Sequence, residues 1–80
     1  MFDELDTVVL KHDMKERGLK RGDLGTVVHA YKDKRAMEIE FVDASGKTVA
    51  LLILKPDDVR PMARNEILHA RDFVAAMATG

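Results

Sequence analysis

The chain contains no cysteine, so it has no disulfide framework, no thiolate metal site and no cysteine nucleophile. That composition suits a reducing compartment, and a cytoplasmic, bacterial-type protein is expected. It has little net charge: 13 Lys and Arg against 14 Asp and Glu, a formal balance of −1. Whole-chain attraction to nucleic acid or to an anionic membrane is therefore not expected. No apolar run approaches the ~20 residues a membrane span requires. The opening stretch MFDELDTVVL is acidic and has no basic region, so no signal peptide is expected. Aromatics are scarce, with one tyrosine and three phenylalanines.

What is present is strand chemistry. Eighty residues, 46% of them hydrophobic, form one domain. A chain this small leaves much of its surface in water and gains from shared apolar contact. Residues 5–10 and 24–31 are short β-branched runs. In 37–43, Met37, Ile39 and Phe41 alternate with Glu38 and Glu40, the pattern of a half-buried strand. Residues 48–55 are apolar on both faces, with Ala50, Leu52 and Leu54 on one and Val49, Leu51 and Ile53 on the other. Polar connections at 31–36 and 43–47, the second carrying Gly46, read as antiparallel hairpins. Pro56-Asp57-Asp58 suggests one tight helical turn. A short last strand follows, and Pro61 confines it to an edge because it has no amide to donate.

The segment GLKRGDLGTVV, residues 18–28, holds three glycines in eight positions. It closes a long loop from Lys11 to Asp23. Gly18 and Gly22 suit positive φ, and Gly25 suits a bulge or a close backbone approach. Five short strands with such a kink indicate a mainly β fold, a small five-stranded barrel over residues 1–63. Residues 64–80 differ. Asn65 can cap a helix, and Ile67, Ala70, Val74 and Met77 recur at helical spacing with Phe73 beside them. An amphipathic C-terminal α-helix over 66–78 is expected to cover the apolar outer face of strand 48–54, on its own barrel or on a partner chain.

Leu5-Asp6-Thr7-Val8-Val9-Leu10, Gly18 through Val28, Glu40-Phe41-Val42-Asp43, Leu54 and Asp57-Asp58-Val59-Arg60-Pro61 together resemble the domain of unknown function 4926 family. This chain has Ile39-Glu40-Phe41 where that pattern usually shows Val-Glu-Phe, and its tail goes beyond the pattern. The resemblance implies a small bacterial SH3-like barrel with no established activity. Some members lie in two-gene, toxin–antitoxin-like neighbourhoods, which implies a protein partner.

The candidate chemistry is sparse. Lys20 and Arg21, with the amides of Gly22-Asp23-Leu24-Gly25, could face RNA phosphates as in KOW-type barrels. However, the 11–23 loop carries five basic residues against three acidic ones and no aromatic. His12, His29 and His69 lack metal-ligand spacing, and His29 is expected to pair with Glu38 across strands. Glu38 and Glu40 share a wet face with no pocket to separate their acidities. Ser45 reads as a turn residue, and no phosphate-binding loop is present. No catalytic residue, metal or cofactor is expected. The expected function is a non-enzymatic protein-interaction module, either self-associating as a homodimer or higher oligomer or docking a partner. Leu51, Ile53, Ile67, Phe73, Val74 and Met77 would grip that partner, and Lys20, Arg21, Glu38 and Glu40 would supply polar contacts. A KOW-like RNA-binding barrel is the alternative.

Overall fold

The computed structural model describes residues 2–33 and 35–74. Strands β1 (Thr7–Leu10), β2 (Leu24–Ala30), β3 (Met37–Val42), β4 (Thr48–Leu54) and β5 (Val59–Pro61) form one antiparallel sheet in the order β4-β3-β2-β1-β5. The barrel is not closed: β4 and β5 are both edges. Among the described residues there is no α-helix, and none is long and apolar enough to cross a membrane.

The alternation in the sequence sets the core. Met37, Ile39 and Phe41 of β3 are buried with Leu52 and Leu54 of β4, Val27 of β2, Val8 and Leu10 of β1, and Val59 of β5. Leu19 enters from the 11–23 loop, where Met14 and Leu19 form an isolated bridge around a 3-10 turn at Lys15–Arg17. Gly18 and Gly22 take positive φ, as expected. Gly25 is the close approach rather than the bulge. A Cβ there would lie 2.5 Å from Ile39 Cγ2 and 3.0 Å from Phe41 Cε1. The bulge falls between Val27 and His29, which leaves Val28 facing solvent.

The β3–β4 hairpin closes through Asp43. Its Oδ1 accepts from the Ser45 and Lys47 amides, its own amide donates to Lys47 O, and Gly46 sits at φ 86°. The helical turn Pro56–Asp58 and the short edge strand ending at Pro61 form where the sequence places them. Strand β1 begins two residues later than its β-branched run suggests. The Asp3 amide donates to the Asp6 carboxylate and the Asp6 amide to Asp3 O, a turn that leaves Leu5 exposed at φ 73°.

The expected helix over 66–78 is not formed in its described part, 66–74, which runs without regular secondary structure; Met77 and the rest of the helix lie outside the described residues. The contacts explain this. A turn at Ala63–Glu66 closes when the Glu66 carboxylate accepts from the Ala63 amide and, through both oxygens, from the Arg60 guanidinium at 2.6 Å. Glu66 is thereby committed backward, to β5. Beyond it, Arg71 and Phe73 turn inward while Asp72 and Val74 face water, a two-residue period that suits extended chain and not a helix. An isolated helix of this length is marginal, and no apolar face receives its stripe: Ile67, Ala70 and Val74 are all exposed.

Candidate interaction surface

Strand β4 places Leu51 and Ile53 on the outer face of the sheet, opposite the side that buries Leu52 and Leu54. They are 52% and 62% exposed. Register sets Ile53 beside Glu38 and Leu51 beside Glu40 on β3. Glu38 in turn faces His29 on β2, as expected, and the His29 ring meets Tyr31 edge-on at 4.6 Å. The surface is thus an apolar pair at a sheet edge, bordered by two carboxylates and, one strand further in, by an imidazole and a phenol. Thr48 Oγ1 donates to Glu40, which fixes that carboxylate over the start of β4. Val42, on the end of β3, adds further exposed apolar area.

The tail does not cover this face. It crosses the end of the sheet where β2 starts and β3 ends. There the Arg71 guanidinium grips the Asp23 carboxylate with two donors, Nε at 2.7 Å from Oδ1 and Nη2 on Oδ2, and Nη2 also donates to Gly18 O at 3.0 Å. Both side chains are largely out of water. Burial pushes the Asp23 pKa up, but Arg71 and the Lys20 amide outweigh it and hold the carboxyl below its ordinary value. Phe73 packs on the core, and an open cleft of about 310 Å³ separates the tail from Phe41 and Val49.

The six apolar residues expected to grip a partner therefore divide. Leu51 and Ile53 share the outer face. Phe73 is half-buried against the core at the sheet's end, Ile67 and Val74 are exposed on the tail, and Met77 lies outside the described residues. The Arg71–Asp23 anchor carried no signal in the sequence, because its partners lie 48 positions apart in segments with no common pattern.

Lys20 and Arg21 are exposed on the 11–23 loop. The backbone around them is occupied. The Lys20 amide donates to Asp23 Oδ2, the Arg21 amide to Asp13 Oδ1, the Gly22 amide to Leu10 O and the Asp23 amide to Lys20 O. His12 Nε2 meets Asp58 Oδ1 at 2.9 Å, tying this loop to the helical turn before β5. That carboxylate, with the Asp13 carbonyl, raises the affinity of His12 for a proton. Among the described residues, no three of His, Cys, Asp and Glu gather as metal ligands would.

Residues 4–61 match the family described as Domain of unknown function (DUF4926). The chain belongs to that family. The match covers all five strands of this DUF4926 domain and stops at Pro61, before the tail that carries Arg71 and Phe73. No curated protein and no solved structure matches the chain.

Proposed function

We propose that this DUF4926 protein is a non-enzymatic protein-interaction module with an open, SH3-like five-stranded sheet, acting in the cytoplasm, with the outer face of β3 and β4 as its contact surface. The strand order and the 3-10 turn between β4 and β5 support the SH3-like assignment. The observation that carries the interaction reading is the exposure of Leu51 and Ile53 together on a strand with no charged residue. Side chains of this kind, left in water beside a carboxylate border, form the apolar centre and polar rim of a contact surface. Glu38 and Glu40 are placed to set polar specificity at its border. Lys20 and Arg21 lie on the 11–23 loop and are assigned no role in this contact. The RNA-binding alternative draws little support from that loop, because a phosphate cradle needs amides that here already donate to protein acceptors.

The test is capture of partners from the native host by the tagged chain and by its Leu51→Lys/Ile53→Lys variant, compared by quantitative mass spectrometry. A protein enriched with the native chain and lost with the variant is expected. Identical recovery by both chains, or recovery of nuclease-sensitive RNA alone, would overturn the reading.

A further inference from the structure

The two edges of the sheet differ in how they are protected against pairing with another chain. An edge strand presents unpaired N–H and C=O groups, and proteins blunt such edges with short strands, proline, charge or a covering segment. Strand β5 has the first three of these. It is three residues long, contains Pro61 and Arg60, and Arg60 is clamped by Glu66 of the turn that follows. Strand β4 is seven residues long, with no proline, glycine or charge. Among the described residues, its backbone takes no hydrogen bonds beyond those of its ladder with β3. The bulge beside Val42 disrupts only its start, and Ala50 to Leu54 pair regularly.

We infer that β4 pairs with β4 of a second copy of this chain, antiparallel and edge to edge, to form a two-fold dimer with one continuous ten-stranded sheet. The inference rests on the interaction reading above and names its partner. The register follows from the side chains. An axis at Leu52 sets Leu51 of one copy against Ile53 of the other, twice, and Ala50 against Leu54. The two exposed large hydrophobic side chains of the strand then cover each other, and no ionisable group opposes another within the paired segment. On the outer face, Glu38 and Glu40 would lie on either side of an apolar ribbon two strands wide. Carboxylates of the two copies are then about 14 Å apart, three strand spacings, and salt screens repulsion beyond about 8 Å. Since β4 meets only itself, the contact is isologous and closes at two copies. With about five residues from each strand the interface is small, and a dissociation constant on the order of 10–100 µM is expected.

Sedimentation equilibrium of the native chain from about 5 to 500 µM, a range that brackets the affinity expected for a contact this small, should show a reversible monomer–dimer transition. The Leu51→Lys/Ile53→Lys variant should stay monomeric with an unchanged circular dichroism spectrum. It should form a mixed dimer with a Leu51→Glu/Ile53→Glu variant. Because the chain has no cysteine, register can be read separately: Leu51→Cys and Ile53→Cys proteins should cross-link on oxidation when mixed, and far less when either is alone. A native chain that is monomeric throughout overturns self-pairing. If the lysine variant nonetheless loses a different captured protein, the interaction reading survives without it; if capture is also unchanged, both fall. A native dimer whose lysine variant dimerises equally, or cysteine variants that cross-link no better mixed than alone, would also overturn the pairing.

Discussion

Replacing Gly25 with alanine tests the packing that curls the sheet. The new Cβ would stand 2.5 Å from Ile39 Cγ2 and 3.0 Å from Phe41 Cε1, whereas carbon atoms in good contact sit about 3.5–4.0 Å apart. Something must move by about 1 Å. Ile39, the nearer neighbour, cannot yield into water, because it is fully enclosed and, being β-branched, has few alternative rotamers. Overpacking of this kind costs about 1–3 kcal/mol. Loss of unfolded-state freedom on replacing glycine offsets roughly 0.4–1 kcal/mol of that. The net expectation is a destabilisation of about 1–2 kcal/mol. With a urea m-value near the low end for small proteins, about 1 kcal/mol/M, the unfolding midpoint should fall by about 1–2 M. Ile39→Ala alone should cost about 2–5 kcal/mol, but it also removes the clashing methyl. The double variant should therefore be more stable than the sum of the single effects predicts, by about 1 kcal/mol. An unchanged or raised midpoint for Gly25→Ala, or strict additivity in the cycle, would refute the claim that glycine stands there because Ile39 and Phe41 leave no room for a side chain.

Two further outcomes follow from the ion pairs. Arg71→Ala should free the tail from the end of the sheet. This is expected to cost about 1–2 kcal/mol, between the values for exposed and buried pairs, and limited proteolysis should cut near residue 70 before any cut in the strands. Because the Asp23 carboxyl is held below its ordinary value of 3.8, the native tail contact is complete above that pH and is lost as pH falls through the lowered value. Proteolysis of the native chain should therefore quicken toward that of Arg71→Ala as pH is taken progressively below 3.8, and a cleavage rate unchanged by acid would contradict this. For His12 the sign is reversed. Its raised proton affinity stabilises the fold fully below 6.5 and less as pH rises through the raised value. The stability difference between native and His12→Ala proteins should be larger at pH 5.5 than at pH 9, as read from thermal midpoints, and equal differences would refute the contact's role.

Much of the sheet was legible because its residues report local rules. The alternation of Met37, Ile39 and Phe41 with Glu38 and Glu40 fixes both a strand and its buried face. Gly46 after Asp43 marks the hairpin, and Pro61 marks an edge. Leu51 and Ile53 were identifiable as surface candidates, since a strand apolar on both faces must leave one face exposed or covered by something else. The tail was not legible. Its spacing of apolar residues fits a helix, but helical spacing has an effect only where a surface accepts the stripe. What holds the tail instead is a guanidinium on a carboxylate 48 positions earlier and one phenylalanine on the core. Such long-range partners leave no periodic trace. For the same reason Phe73 could not be told apart from Ile67 and Val74 until the chain was folded.

The central claim is that β4 offers a free, uncharged edge through which this protein makes contacts. Hydrogen exchange of the backbone amides, followed by NMR at low and high protein concentration, tests it most directly. The account predicts that amides of Ala50 to Leu54 on the side away from β3 exchange quickly in dilute protein and become protected as concentration rises, while those of β5 stay unchanged. Slow exchange across all of β4 in dilute monomer, or protection independent of concentration, would contradict it.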